Sequence, residues 1–135
     1  MEELFKKLKE MNLPKGKFVI FGSGPMGIRG LKESHDLDVI VTEDIFNDFK
    51  KRSDFKGFKL DKKKSGNEYL EKDGIELYEN WHPGDWDINK LIQEAEIIDD
   101  LPFVKLEDVL KWKKLKMREK DIKDIELIED YFNKK

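Results

Sequence analysis

Residues 18–41 read FVIFGSGPMGIRGLKESHDLDVIV. Four apolar residues, Phe18, Val19, Ile20 and Phe21, run into the turn Gly22-Ser23-Gly24. A short basic segment follows, and then a second apolar run carries Asp36 and Asp38 on either side of Leu37. Side chains alternate across a strand, so residues i and i+2 share one face about 6–7 Å apart. Asp36 and Asp38 therefore point the same way. Two carboxylates held together at neutral pH repel each other, and a divalent cation turns that repulsion into ligation by hard oxygen donors.

Working outward, residues 1–11 have the spacing of an amphipathic helix, with Leu4, Phe5, Leu8 and Met11 on one face and Glu2 and Glu3 at the positive end of its dipole. Residues 18–21 form the first strand, and Pro25 suits the first position of a short helix over 25–32. Backbone N–H groups at that turn, in residues 22–24, suit a triphosphate, and Ser23 can add a hydroxyl. Arg29 and Lys32 lie near enough to add positive charge, or to sit as solvated surface residues. His35 reads as a polar loop residue before a strand over 36–41. Thr42 is placed to cap a helix over 43–52 whose buried face is Ile45, Phe46 and Phe49.

The middle of the chain reads as a connection over 53–57 and short strands over 58–60, 68–70 and 75–78, with Asp73-Gly74 as a hairpin turn. The lysine run 62–64 reads as a solvated turn. Residues 81–86, WHPGDW, form an aromatic loop in which Trp81 or Trp86 either stacks on a nucleobase or closes a lid over the core. Asp87 caps a helix over 88–96, and residues 97–104 are extended, with Pro102 indicating a sheet edge. Helices over 107–117 and 119–133 close the chain.

Composition narrows the class. A chain of 135 residues suits one domain with a core at about 17–104 and C-terminal helices at about 106–133. Charged residues of both signs make up 42% of it, a Lys- and Glu-rich balance of the kind found in thermophile proteins. A net charge of −3 argues against a protein built mainly to grip nucleic acid, though it leaves room for a local basic groove. Without cysteine there is neither a disulfide framework nor a thiolate metal site. No apolar run is long enough to span a membrane, so the expectation is a cytoplasmic protein.

The pattern of an apolar residue, Gly, then Gly or Ser, about a dozen residues, and Asp-apolar-Asp-apolar resembles the nucleotidyltransferase superfamily of DNA polymerase β-like enzymes. It stands here as Phe21-Gly22-Ser23 and Asp36-Leu37-Asp38-Val39. A second stretch, 106–128, resembles the tail of nucleotidyltransferase-like proteins of the abortive-infection toxin type. Its matching parts are Leu106-Glu107-Asp108, Lys113, and Arg118-Glu119-Lys120-Asp121 followed by Asp124.

The resemblance implies a mixed α/β (α+β) fold, with a small, mostly antiparallel or mixed sheet, helices packed on one side and a C-terminal helical pair. It implies a metal-dependent nucleotidyltransferase using Mg²⁺ or Mn²⁺. Asp36, Asp38 and Glu76 would be the catalytic and metal-holding carboxylates, with Glu79 as second choice for the third. Gly22, Ser23, Gly24, Arg29 and Lys113 would bind nucleotide, while Asp121 and Asp124 orient the site or cap a helix. A plain reading makes Lys113 a surface lysine and Asp121 an ordinary cap. A nucleoside triphosphate would be one substrate; the acceptor would be a small molecule, an RNA end or a protein hydroxyl, and a helical partner protein is implied. The family more often carries Asp where Glu76 stands, which keeps a second function class in play: a degenerate module that binds nucleotide or a partner without turnover. A third reading takes 22–27, GSGPMG, as the dinucleotide-binding fingerprint, with Glu43 or Asp44 about 20 residues on. It requires a helix running through Gly27 and Gly30, and it gives the carboxylate pair no role.

Overall fold

The computed structural model describes residues 1–51, 59–61 and 68–134. The expected connection 53–57, Phe58 and the lysine run 62–64 lie outside the described residues. Strands β1 (Phe18–Phe21) and β2 (Leu37–Val41) pair antiparallel, with Phe21 opposite Asp38. Helix α1 (Glu2–Glu10) precedes them, α2 (Gly24–Gly27) lies between them, and α3 (Glu43–Lys51) follows. β3 (Lys59–Asp61), β4 (Tyr69–Lys72) and β5 (Ile75–Tyr78) come next, then α4 (Ile88–Gln93). β6 (Glu96–Ile98), β7 (Leu101–Phe103), α5 (Leu106–Lys116) and α6 (Glu119–Asn133) complete the order. The seven strands form one mixed sheet ordered β3-β4-β5-β2-β1-β7-β6, in which β2 runs parallel to β5 and β1 parallel to β7. The fold is mixed α+β with a C-terminal helical pair.

Helices pack on both faces of the sheet, where the sequence suggests one. The cause lies in β1, where all four residues are buried and alternate strictly. Phe18 and Ile20 meet Leu37, Val39, Val41, Leu77 and Phe103 in a core closed by Leu4, Phe5 and Leu8 of α1 and by Phe46 and Phe49 of α3. Val19 and Phe21 face the other way. They join Ile40, Tyr78, Trp81, Leu91, Val109, Trp112 and Ile128 under α4, α5 and α6. Asp38 and Glu76 alternate with the residues of the first core, so both lie on this second face.

The Asp73-Gly74 hairpin forms as its sequence suggests, with both residues at positive φ (51° and 88°) and Lys72 opposite Ile75. The Gly74 carbonyl also accepts from Leu37 N–H at 2.7 Å, which sets the start of β2 against the start of β5. Asp87 caps α4 by accepting from Lys90 N–H at 3.1 Å. Thr42 stands at the N-cap position of α3, its carbonyl accepting from Phe46 N–H at 2.9 Å, while its hydroxyl donates to the Asp44 carboxylate. The expected helix over 25–32 is the four-residue α2.

The single extended run expected over 97–104 is a hairpin. Asp99 and Asp100 turn it at φ 51° and 66°, and Ile97 faces Pro102. Pro102 is therefore not on an edge strand; β6 is the edge, and β7 lies inside it. The missing N–H is tolerated because β7 meets β1 at only one register pair, Ile20 with Phe103, secured by Val104 N–H on Ile20 O at 2.9 Å. Among the described residues no helix is long and apolar enough to cross a membrane.

A Cβ on Gly74 would meet the His35 carbonyl oxygen at 2.8 Å, at a φ that L side chains resist. Gly74→Ala is therefore expected to lower unfolding free energy by about 2 kcal/mol. Urea denaturation checks it: an unchanged midpoint would mean that the β2–β5 register does not depend on this turn.

Candidate functional site

A cleft of about 420 Å³ opens where the end of β1, the start of β2 and the corner between α5 and α6 meet. Antiparallel pairing brings the Gly22-Ser23 turn beside Asp36 and Asp38, because the last residue of β1 lies opposite the second residue of β2. Gly22 sits at φ 66°, and a Cβ there would collide with the Asp38 carboxylate. The turn can therefore lie directly on Asp38 only if this residue is glycine.

The helical pair supplies the positive side. Met117 adopts a left-handed φ of 49°, and its N–H closes α5 on the Lys113 carbonyl at 2.9 Å. Arg118 then starts α6, its N–H held by Asp121 at 3.0 Å. This sharp corner lets Lys113, Lys116, Arg118 and Lys120 all line the cleft, with Lys32 beyond them. Lys113 is only 3% exposed. Its ammonium meets Asp124 at 2.8 Å and Asp121 at 3.5 Å. Lys32 reaches the same Asp124 oxygen at 2.7 Å, and Arg118 grips both oxygens of Asp121 at 2.7 and 3.2 Å. Two buried carboxylates thus hold three cations in place.

Aromatic rings join the two sides. Trp81 stacks on Phe21 at 4.8 Å between centroids, Trp112 meets Phe21 edge-on at 5.3 Å, and Trp112 Nε1–H donates to the His82 carbonyl at 3.0 Å. Trp81 is buried in the core. It closes over the core, as one reading of the 81–86 loop has it, and it also lines the cleft. Trp86 joins the same cluster, its Nε1–H donating to Pro83 O at 2.8 Å.

The charges in the cleft are tuned by these contacts. Burial pushes the Asp121 carboxyl up, but the Arg118 side chain and backbone N–H outweigh it, with Lys116 and Lys113 adding, and leave it well below the ordinary range. Burial likewise raises Asp124, and its bonds to Lys113 and Lys32 overcome that and lower it. Lys116 is pushed down to about 8, first by burial and then by Arg118. The Tyr78 phenol is pushed far up by burial, then by Asp38, so it stays protonated; it donates to Glu76 at 2.6 Å.

The sequence-predicted residues divide cleanly. Gly22, Ser23, Asp36, Asp38 and Lys113 share the cleft, as does Lys32. Gly24 is buried behind the turn, against Ile20 and Leu37. Glu76 is aligned with Asp38 on the neighbouring strand but is 3% exposed, bonded to Tyr78, and not part of the cleft lining. Glu79 is half-buried, its carboxyl raised by burial and then by Glu43 and Glu68, and it does not line the cleft either. Arg29 donates to Pro25 O at 2.7 Å, pairs with Glu96 and lines a separate hollow beside Tyr131. His35 is exposed outside the cleft, whereas His82 lines it.

Sequence reasoning assigned no ligand-binding role to Tyr78, Trp112, Lys116, Arg118 or Lys120. The available signal was three basic residues two apart, 116, 118 and 120, across a helix break; a continuous helix would keep 116 and 120 on one face and turn 118 away from them. Among the described residues no group of three or more His, Asp or Glu side chains is placed to hold a metal ion. The dinucleotide fingerprint lacks its context, since β1 and β2 are antiparallel and α2 has four residues. The chain has no significant match to any protein-family model, curated protein or solved structure.

Lys113→Met leaves Asp121 and Asp124 buried with one cation fewer each, and is expected to cost about 3 kcal/mol, the low end for breaking a buried pair because Arg118 and Lys32 remain. Both carboxyls are held low, so their stabilisation is full above about pH 4 and is lost as pH falls further, through their folded values. Urea midpoints at about pH 7 and about pH 3 should therefore converge in the double variant Asp121→Asn/Asp124→Asn relative to wild type. Equal acid sensitivity in both proteins would mean that other carboxylates govern acid unfolding.

Proposed function

We propose that the protein is a metal-dependent nucleotidyltransferase that moves a nucleoside monophosphate from a nucleoside triphosphate to an acceptor hydroxyl. The observation that carries this reading is one cleft that unites the Gly22-Ser23 turn, the carboxylates Asp36 and Asp38, and the cations of the α5–α6 corner.

The donor chemistry fits Mg²⁺ or Mn²⁺ in a particular way. Magnesium is commonly held by one or two carboxylates together with substrate phosphates and waters, without an all-protein cage. Asp36 and Asp38 supply two such carboxylates, and the nucleotide's phosphates would complete the set. The metal, when bound, supplies charge neutralisation at the leaving pyrophosphate and makes an acceptor hydroxyl more acidic. The chain does the rest by position and charge. The N–H groups of the Gly22-Ser23 turn and the Ser23 hydroxyl bind phosphate oxygens. Lys113, oriented by Asp124 and Asp121, offsets their charge. Trp81 and Trp112 exclude water from one side of the cleft. Tyr78 holds Glu76 next to Asp38 and keeps its own proton.

A second reading, a binding module without turnover, is favoured by one observation: Glu76 is bonded to Tyr78 outside the cleft lining, so among the described residues no third carboxylate lines the cleft beside Asp36 and Asp38. Ligand binding to the folded state separates the readings by mass action. A nucleoside triphosphate with Mg²⁺, at a hundredfold excess over its Kd, is expected to raise the thermal midpoint by about 5–10 °C, and neither alone to do so. Asp38→Asn should abolish the shift and the release of pyrophosphate in the presence of acceptor extracts. A shift without pyrophosphate release selects the binding module. No shift with any triphosphate, or one with NAD that Asp38→Asn retains, overturns the transferase reading.

A further inference from the structure

The cations lining the cleft are not equivalent. Lys113 and Lys32 are spent on Asp124, and Arg118 is spent on Asp121. Lys116 is different. Among the described residues no carboxylate is in ion-pair contact with its ammonium, which instead lies over the Trp112 ring at 3.9 Å from the centroid. It is half-buried at the last position of α5, with Lys113 one turn before it and Arg118 and Lys120 just after it. A cation in this setting has lost water without gaining an anion in contact, although Asp121 lies near enough to act on it. The indole face offsets part of that loss. A phosphate group arriving in the cleft would offset the remainder, since charge-assisted bonds to phosphate strengthen out of water.

Building on the reading of the cleft as a polyphosphate site, we propose that Lys116, flanked by Lys120 and stacked on Trp112, is the subsite that receives a phosphate of the bound polyphosphate. Lys113 serves chiefly to orient that subsite through Asp121 and Asp124. The division of labour follows from the contacts: a lysine bridging two buried carboxylates is fixed, whereas one resting on an indole can swing to a ligand on its four-carbon stem.

The inference has a pH signature. The groups facing Lys116 are Lys113 on its own helix and Arg118, Lys120 and Asp121 from the start of α6; Asp36, Asp38, His82 and Lys32 line the same cleft. Burial and then Arg118 push the Lys116 ammonium down to about 8. The empty subsite therefore loses its charge as pH rises through that value, and an anion must then bring a proton with it. Affinity for a polyanion falls over that interval.

Calorimetric titration of the full chain with inorganic tripolyphosphate, without metal, tests this at about pH 7 and about pH 9. Three proteins are compared: wild type, Lys116→Met, which keeps the apolar stem against Trp112, and Lys116→Arg, which stays charged throughout. At the lower pH, Lys116→Met is expected to bind about tenfold more weakly than wild type. At the higher pH wild type should approach Lys116→Met while Lys116→Arg retains its affinity, and the comparison cancels the ligand's own titration. Circular dichroism checks that each variant folds. Adenosine, which has no phosphate, should show no difference among the three. Equal tripolyphosphate affinity in wild type and Lys116→Met overturns the proposal, as does absence of binding to wild type. Nucleotidyl transfer is measured in parallel. Lys116-dependent binding without transfer keeps the subsite and removes the transferase reading; transfer with the same nucleotide KM in wild type and Lys116→Met does the reverse.

Discussion

Lys113 carries its charge into the protein interior, and it can stay there because Asp124 and Asp121 meet it. Desolvating an ammonium costs several kcal/mol, so the three groups form a unit whose parts cannot be removed singly. That unit fixes the angle and depth at which α6 lies against α5, and Lys32 extends it to the chain that follows α2. Apolar contacts alone would allow the helices to slide; an ion network with directional bonds does not. The cleft owes its cationic side to this constraint, since the corner at Met117 and Arg118 presents its basic residues only when α6 starts where Asp121 can cap it.

The sheet side rests on a different constraint, the contact between a turn and a carboxylate. β1 is apolar on both faces, so it must be covered on both, which makes it an interior strand of a mixed sheet. Its end is therefore carried into the middle of the molecule, with Phe21 locked among tryptophans. Gly22 then lays backbone against Asp38 with no side chain between them. The glycine turn's backbone and the anionic side chains are adjacent there because of strand pairing, independently of the helical pair. The aromatic cluster joins the two constructions, with Trp112 on the helical side bonded to the loop that begins at Trp81.

Much of this was legible in the residues. The glycine turn, the Asp-Leu-Asp run, the Asp73-Gly74 hairpin and the two C-terminal helices all announce themselves through local chemistry: φ demands, period-two alternation and helical spacing. What depends on long-range pairing did not. Seven strands and their order cannot be read from runs of three or four residues, and Asp99-Asp100 is a weaker turn signal than Asp-Gly. Two-sided cover of the sheet was implicit in the unbroken run 18–21, yet it points to helices without saying which. In the cleft, Asp36, Asp38 and Ser23 were legible because they lie close in sequence, at one turn and around the start of β2. The setting of Lys116 was not legible because it shows only by subtraction, once Lys113, Lys32 and Arg118 are seen to be engaged. Arg29 shows the converse, a basic residue near in sequence whose guanidinium is drawn off to Glu96.

The chain has three tryptophans, and all of them, Trp81, Trp86 and Trp112, lie in one cluster around Phe21 at the cleft. Its ultraviolet emission is therefore a local signal. It reports the docking of the helical pair on the end of β1, on the face of the sheet opposite the core closed by α1. An emission trace and a backbone circular-dichroism trace of the same unfolding experiment watch different parts of the molecule. Their coincidence or separation would tell whether the cleft assembles with the sheet or upon it.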